Sequence, residues 1–160
     1  MNIDAILSLE RTFCRVEASS KKKAIEVASH LIAESDANLD ESEIYAKLTA
    51  REKVSPTCLG EGIAIPHCRL GNCSKIMAAL VTLSKPVEFE AIDDKPVNIL
   101  FILLVPEAET EAHLKTMAML VERLEQSPYR EQLVNATSSD ELFASACSEP
   151  GAAVRQSSGH

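Results

Sequence analysis

The sequence predicts a single α/β domain in which helices cover both faces of a sheet. Helical patterns come first, and near-continuous apolar runs then alternate with further helical patterns. Strands that are covered on both faces lack polar alternation, and these apolar runs have that character. With 160 residues, of which 46% are hydrophobic and 25% charged, the chain has the size and composition of one folded domain.

Two helices are predicted in the first third of the chain. Apolar residues recur at helical spacing between Ser20 and Ala33, and Ser20 is the expected N-cap. Asp40 and Glu43 form a capping-box pattern that begins a second helix. We expect this second helix to end near Arg51.

Strands are predicted in the middle of the chain. The segment 54–73 is rich in glycine and proline and contains one short apolar stretch, residues 63–65. The apolar runs 77–83 and 97–105 follow, and both are predicted to be buried strands. Proline residues punctuate the two runs at Pro86 and Pro106.

A long helix is predicted from about residue 110 to residue 126. Thr110 is its expected N-cap. Four apolar residues at helical spacing predict its buried face: Leu114, Met117, Val121 and Leu124. This helix should therefore pack on the sheet from one side.

Shorter helices complete the predicted domain. Pro128 suits the first turn of one helix, and residues 138–147 can form the last. The domain is expected to span residues 1–148. The segment 149–160 is rich in proline, glycine and alanine, and we expect it to be a disordered tail.

Charge and cysteine content argue against several classes of function. A net charge of −8 repels a phosphate backbone, and the only basic run is Lys21-Lys22-Lys23, so we expect no nucleic-acid binding. The longest apolar run is about half as long as a membrane helix, so no membrane insertion is expected. Five scattered cysteines, with no secretory segment after Met1, indicate reduced thiols and a cytoplasmic location.

The stretch Gly60-Glu61-Gly62-Ile63-Ala64-Ile65-Pro66-His67 is the leading candidate for a functional site. Glycines surround a short apolar strand that ends by presenting His67. Neutral imidazole has a nitrogen lone pair that can attack phosphorus or bind a metal ion. Taken alone, however, a histidine after a proline is more often an ordinary turn residue.

Phosphoryl transfer also requires positive or hydrogen-bond-donating groups around three charged oxygens. Backbone N–H groups at Gly60 and Gly62 can approach an anion closely. Arg51 can supply a cation and Thr57 a hydroxyl. The alternatives are that Arg51 pairs with Glu52 or caps a helix C-terminus, and that Thr57 is an ordinary loop residue.

A second histidine, His113, falls in the first turn of the predicted long helix. The helix dipole favours neutral imidazole there, and a neutral ring can donate one hydrogen bond to a phosphoryl oxygen. The alternative is a boundary histidine beside Met117 and Leu120. His30 lies within a regular helix and is expected to be structural or inert.

The segment 51–67 resembles the active-site segment of the mannitol/fructose and nitrogen-regulatory EIIA family of the phosphotransferase system. Four features carry the resemblance: the Arg-Glu pair at 51–52, Gly-x-Gly at 60–62, Ala-Ile-Pro-His ending at His67, and a downstream His-Leu at His113. The resemblance covers the chain from Asn2 to about Cys147, and the nitrogen-regulatory branch is the most similar.

This resemblance implies a central mixed sheet flanked by helices and a phosphohistidine at His67, with Arg51 and His113 as supporting residues. It implies an HPr-like phosphodonor protein and no cofactor or metal. The favoured function is regulatory, in nitrogen or potassium control, through transporter or sensor-kinase partners that distinguish the two phosphorylation states. The alternative is an EIIA of a fructose or mannitol system that passes the phosphoryl group to a IIB module.

The chain departs from the family pattern near the proposed site. The segment 55–58, Ser-Pro-Thr-Cys, stands where the family tends to have Gly-Ser-Thr-Gly, so contacts to phosphoryl oxygens are expected to be weaker. Glu61 stands where Asn is common, and Cys68 replaces the usual Gly. A carboxylate close to a phosphohistidine would repel it and change its lifetime.

Two other site types are disfavoured. Cys58, Cys68 and Cys73 could join His67 in a zinc site, but paired Cys-x-x-Cys spacing is missing. His67 and Cys68 would also point to opposite sides of a strand. Asp93-Asp94 could suggest an aspartyl-phosphate receiver, but the pair precedes Lys-Pro in what reads as a turn. A phosphate-independent interaction module is the remaining, less favoured alternative.

Overall fold

A six-stranded mixed sheet forms the centre of the protein, and its strands run in the order β1-β5-β6-β3-β2, with β4 also paired to β6. The structure, a computed structural model, describes residues 2–91, 93–109 and 111–148. The strands are β1 (Thr12–Val16), β2 (Cys58–Gly60), β3 (Ile63–Ala64), β4 (His67–Leu70), β5 (Met77–Val87) and β6 (Val97–Pro106). The helices are α1 (Lys21–Ser35), α2 (Glu41–Val54), α3 (Glu111–Leu124), α4 (Ser127–Asn135) and α5 (Ser139–Cys147). The predicted fold class is confirmed.

The two long strands β5 and β6 pair antiparallel and are buried on both faces, except at residues 84–86 of β5, which are exposed. On β6, Leu100, Ile102 and Leu104 point into a core shared with α1 and α2. The alternate β6 residues point into a second core with α3, α4 and α5, and they are Ile99, Phe101, Leu103 and Val105. One strand therefore supplies both hydrophobic cores, which explains its unbroken apolar sequence.

The strands β3 and β4 lie end to end along the same side of β6, and both run parallel to it. Ile63 pairs with Ile99, and His67 pairs with Leu103. Between these two strands, the carbonyl of Pro66 accepts the N–H of Leu103 at 3.0 Å. This hydrogen bond holds the connecting residues against β6. β3 ends at Ala64, and His67 is the first residue of β4. The sequence predicted a strand that ends at His67, and this prediction is corrected.

Local capping signals predicted the helix starts correctly. The side chain of Ser20 accepts the Lys23 N–H, and that of Asp40 accepts the Glu43 N–H. Pro128 lies in the first turn of α4, as expected. The predicted N-cap Thr110 and the predicted tail 149–160 lie outside the described residues.

Three strands, β1, β2 and β4, were not predicted, and the ends of β5 and α2 differ from the predicted ones. β1 precedes the helices and was not predicted, because Thr-Phe-Cys-Arg-Val is short and its edge position leaves it only partly buried. β5 continues through Pro86, where its pairing with β6 is irregular and no ladder N–H is required. α2 continues to Val54, three residues beyond the predicted end.

The buried face of α3 is rotated from the predicted one. Leu124 is buried and Met117 and Val121 are partly buried, but Leu114 is 70% exposed. The most buried positions are instead Thr116, Leu120, Arg123 and Leu124. Because each helical residue turns by about 100°, this rotation directs Leu114 outward and brings its neighbour His113 towards the sheet.

Candidate functional site

The imidazole of His67 is half-buried at the first position of β4. Its Nδ1 lies 2.8 Å from the carbonyl oxygen of Ile65. A carbonyl can only accept a hydrogen bond, so Nδ1 carries the ring proton in the neutral form. The lone pair is therefore on Nε2, which is the nitrogen available for chemistry.

A second imidazole, that of His113, lies edge-on to the first. The two ring centroids are 5.5 Å apart with an interplanar angle of 66°. His113 is in the first turn of α3, as predicted, and the nearby N–H of Ala112 is accepted by the carboxylate of Glu109 at 3.2 Å. Two elements distant in sequence thus bring the two predicted histidines together.

Burial and nearby cations keep both imidazoles neutral near pH 7. The pKa of His67 is lowered mainly by burial and further by Arg51, against an opposing effect of the Ile65 hydrogen bond and of Glu52. The pKa of His113 is lowered by burial, by His67 and by the charges of Arg69 and Arg51. A nucleophilic lone pair and a neutral donor are consequently available without deprotonation.

Arg51 lies in the last turn of α2 and donates from Nη1 to the carbonyl of Ser55 at 3.0 Å and to its Oγ at 3.4 Å. The helix-capping alternative is therefore realised, and the pairing with Glu52 is not among its described contacts. Its positive charge still acts on both His67 and His113. Capping and electrostatic influence on the site are compatible roles for one guanidinium.

Arg69 belongs to the same site but was missed in the sequence. It lies two residues after His67 on β4, so both side chains project from the same face. Its Nη1 donates to three backbone carbonyls ahead of α3, those of Pro106 (3.3 Å), Glu107 (3.0 Å) and Glu109. The only sequence signal was the strand alternation after His67, and that signal depended on recognising β4.

The predicted loop residues lie in two different surroundings. Thr57 is 8% exposed, and its hydroxyl donates to the Glu52 carboxylate. Gly60 and Gly62 have φ angles of +88° and +82° and form the turn between β2 and β3. That turn lies beside the start of β6, about 13 Å along the strand from the level of His67.

Glu61 lies in the same turn and is not beside His67. Its backbone N–H donates to Asp93 at 2.9 Å, and its carboxylate pairs with Lys95 at 3.1 Å. The expectation of a carboxylate next to the phosphohistidine is therefore not met by this residue. Asp93 and Asp94 lie in a turn, as predicted, and Asp93 accepts the N–H groups of Glu61 and Lys95.

The cysteines next to the site are protonated thiols. Burial raises the pKa of Cys68 to about 12 and that of Cys58 to about 11. Cys68 points into the α1/α2 core, on the opposite side of β4 from His67, as the alternation predicted. Among the described residues, no group of three His, Cys, Asp or Glu side chains is arranged to hold a metal ion.

The surface around the histidines is open and partly apolar. Leu114, next to His113, is 70% exposed. Val54, which lines a groove at the end of α2, is 79% exposed. A groove of about 800 Å³ lies beside the end of α2, but its lining includes Glu52 and Lys21 and does not include His67. No helix in the described part of the chain is long and apolar enough to cross a membrane.

Comparisons with known proteins show the family of this chain. Residues 5–146 match the family described as "Phosphoenolpyruvate-dependent sugar phosphotransferase system, EIIA 2". The nitrogen regulatory protein of Pseudomonas aeruginosa is 38% identical over 143 residues, which is 89% of this chain and 93% of that protein. The crystal structure of nitrogen regulatory protein IIA-Ntr from Neisseria meningitidis is 38% identical, with a TM-score of 0.82 over 90% of this chain and 98% of that one.

A more distant structure shares the fold. Enzyme IIA of the mannitol system of Escherichia coli, solved in complex with phosphorylated enzyme IIB, is 22% identical, with a TM-score of 0.71 over 88% of this chain and 98% of that chain. The resemblance noted in the sequence is thereby confirmed over nearly the whole described chain. The protein belongs to the EIIA 2 family of the phosphoenolpyruvate-dependent sugar phosphotransferase system.

Proposed function

We propose that the protein is a phosphocarrier in which Nε2 of His67 accepts a phosphoryl group from the phosphohistidine of an HPr-like donor protein. The observation that carries the proposal is the hydrogen bond from Nδ1–H to the Ile65 carbonyl, 2.8 Å long, since it leaves the Nε2 lone pair free. The lowered pKa of His67 keeps that lone pair unprotonated at neutral pH.

The transfer exchanges one P–N bond for another. The Nε2 lone pair of His67 attacks phosphorus, and the bond between phosphorus and the donor imidazole breaks, with its electron pair returning to the donor nitrogen. The Nδ1 proton stays on His67, where it continues to donate to Ile65. No base is required, because the neutral ring is already the nucleophile.

His113 and Arg51 are proposed to stabilise the transferred group. A neutral His113 ring can donate one hydrogen bond to a phosphoryl oxygen, and its centroid is 5.5 Å from that of His67. Arg51 adds positive charge from the end of α2. Contacts from Thr57, Gly60 and Gly62 to the phosphoryl group, which the sequence predicted, are not included in this proposal, because the Thr57 hydroxyl donates to Glu52 and the glycine turn lies about 13 Å along β6 from the level of His67.

The donor and the recipients are proposed to be proteins that dock on the open surface around His67, where Leu114, next to His113, is an exposed apolar residue. Phosphorylation adds up to about two negative charges there, enough to change the affinity of a partner. Similarity to nitrogen regulatory proteins favours a regulatory role in the cytoplasm, with transporters or sensor kinases of nitrogen or potassium metabolism as partners.

A sugar-system role is the second candidate. The description of the family names a sugar phosphotransferase system. The E. coli mannitol enzyme IIA was solved in complex with phosphorylated enzyme IIB. In that role the protein would pass its phosphoryl group from Nε2 of His67 to a IIB module. The two roles share the same acceptor chemistry and differ in the recipient.

The test is phosphoryl transfer from phosphoenolpyruvate through the general phosphotransferase enzyme and an HPr-type carrier, followed by intact mass. The wild type should gain one acid-labile phosphoryl group and His67→Ala none. His30→Ala is the matched control, because His30 is exposed on α1 and pairs with Glu34 and Glu41. If the folded wild type gains no phosphoryl group, the carrier proposal is wrong, and a phosphate-independent binding module is favoured.

Two extensions of this assay separate the finer claims. His113→Ala should slow phosphorylation by about 100-fold, the usual effect of losing one donor to a developing negative charge. Adding IIB modules of fructose or mannitol systems then tests the second candidate. Rapid discharge of the phosphorylated wild type by IIB supports the sugar role, whereas a stable phosphoprotein that binds its partners differently from the unphosphorylated form supports regulation.

A further inference from the structure

A buried carboxylate, Glu52, lies close to the site and has no role in the chemistry described so far. The residue is 7% exposed, near the C-terminal end of α2. Its carboxylate accepts both the N–H of Thr57, at 3.2 Å, and the Thr57 hydroxyl. It also forms an ion pair with Lys21 Nζ at 3.2 Å. A carboxylate this buried is costly unless such partners compensate it.

The contacts of Glu52 continue to the nucleophile through two buried backbone units. The carbonyl of Thr57 accepts the N–H of Ile65 at 3.0 Å, and the carbonyl of Ile65 accepts Nδ1–H of His67 at 2.8 Å. Thr57 is 8% exposed and Ile65 is fully buried. Three hydrogen bonds, joined through the backbones of Thr57 and Ile65, therefore link the Glu52 carboxylate to the imidazole.

We propose that Glu52 is a positioning residue for phosphoryl transfer, which acts through Thr57 and Ile65 to hold the proton of His67 on Nδ1 and so present Nε2. This inference rests on the proposed phosphocarrier function. It assigns Thr57 to the support of the nucleophile, because a hydroxyl that donates its proton to Glu52 cannot also donate it to a phosphoryl oxygen. Lys21 completes the arrangement by neutralising a carboxylate that would otherwise repel the incoming group.

The partners of Glu52 favour a charged acceptor. Two donors from Thr57 and one ammonium from Lys21 converge on the two oxygens of Glu52. An amide carries no charge to pair with Lys21, and its NH₂ group would donate to the Thr57 hydroxyl and so reverse the direction of that hydrogen bond. Replacement by Gln should therefore loosen Thr57 while keeping the volume of the side chain.

The test compares Glu52→Gln with Glu90→Gln, a matched change in the lining of the same groove. The ¹⁵N chemical shifts of His67 in the unphosphorylated protein report which nitrogen carries the proton. Glu52→Gln should convert a single Nδ1–H form into a mixture of tautomers, and should slow phosphorylation about 10-fold, as loss of a supporting hydrogen bond usually does. Glu90→Gln should change neither quantity.

A second pair of variants keeps the proposal testable if Glu52→Gln does not fold. Thr57→Val removes the hydroxyl at nearly constant volume and should behave like Glu52→Gln. Thr57→Ser restores the hydroxyl and should return both the tautomer and the rate to wild-type values. A purely structural role for the hydroxyl would alter stability without altering the tautomer.

The outcomes separate this inference from the proposed function. An unchanged tautomer in folded Glu52→Gln or Thr57→Val overturns the positioning role, whatever happens to the rate. A changed tautomer with an unchanged rate also overturns it, because proton placement would then not matter for transfer. Failure of the wild type to accept a phosphoryl group overturns the carrier function instead. The mass assay on the wild type alone detects this outcome.

Discussion

At the residue scale, the charge of His67 follows from its burial. An exposed imidazole has a pKa of about 6.5, and burial together with Arg51 lowers the pKa of His67 below this value. Protonated Nε2 has no lone pair and cannot attack phosphorus. The acceptor is therefore competent throughout the neutral range.

The first prediction concerns pH. The rate of phosphorylation should be constant between about pH 8 and the unfolded-state pKa of about 6.5, and should fall only below it. Between about pH 6.5 and the lower pKa of folded His67, the unfolded chain binds more protons than the folded one, so stability declines as the pH falls through this range. NMR titration of the His67 ring gives the midpoint. A midpoint at or above 6.5 would contradict the assignment.

The second prediction separates the turn glycines from the phosphoryl chemistry. Gly62 has a φ angle of +82°, and a Cβ atom there would lie 2.9 Å from Asn98 Oδ1. Gly62→Ala should therefore lower the free energy of unfolding by about 1–2 kcal/mol. We expect the folded variant to accept phosphoryl groups at nearly the wild-type rate, since the turn lies about 13 Å along β6 from the level of His67.

Gly71→Ala is the matched control, because a Cβ at Gly71 would meet only the Glu107 side chain, at 3.5 Å or more. Urea unfolding and the mass assay measure the two effects separately. A large loss of rate in stable Gly62→Ala protein would instead support the predicted contact between the glycine loop and the phosphoryl group.

At the element scale, the position of α3 relative to β4 determines whether the two imidazoles meet. Arg69 is the strongest described connection between them, since its guanidinium donates to the carbonyls of Pro106, Glu107 and Glu109 just before the helix. Hydrogen bonds from a charged donor stabilise more than neutral ones. We therefore expect Arg69 to hold the first turn of α3, and with it His113, against the strand.

The third prediction is that Arg69→Met lowers the free energy of unfolding by about 2 kcal/mol, because three backbone carbonyls lose a charged donor. It should also raise the pKa of His113, since the Arg69 charge contributes to lowering it. Arg130→Met is the control, because Arg130 donates to the carbonyl of Leu124, at the other end of α3. Equal His113 titration in both variants would show that Arg69 does not act on the site.

The same scale shows what the sequence could and could not predict. Helix starts were predictable because a cap such as Ser20 bonds within its own first turn. β1 and β4 were not, because Thr-Phe-Cys-Arg-Val and His-Cys-Arg-Leu are short and owe their strand conformation to pairing with distant β5 and β6. His67 and His113 were found from motifs, whereas the contacts of Arg69 span up to 40 residues and leave no local pattern.

At the scale of the whole molecule, the sheet unites two hydrophobic cores. The α1/α2 core and the α3/α4/α5 core share β5 and β6, whose alternate side chains point into one or the other. Loss of packing on one face must therefore disturb strands that the other face requires. We expect the two layers to unfold as one cooperative unit.

The fourth prediction uses the two tyrosines, in a chain without tryptophan, as separate reporters. Tyr45 lies on α2 against the first core, and Tyr129 is buried on α4 in the second. In the Tyr45→Phe background, fluorescence therefore reports only the α4 layer. Leu48→Ala, a fully buried site on α2, should destabilise the protein by about 2–5 kcal/mol.

If the layers unfold together, Leu48→Ala lowers the urea midpoint of unfolding equally by two measurements. One is the fluorescence of Tyr129, which lies in the other layer, and the second is far-ultraviolet circular dichroism. Leu142→Ala on α5, observed through Tyr45 in the Tyr129→Phe background, should give the reciprocal result, because Leu142 is fully buried in the second core. Separate midpoints for the two reporters would mean that each helical layer can detach from the sheet alone. Because His67 is on the sheet, Arg51 on one layer and His113 on the other, such detachment would also take the site apart without global unfolding.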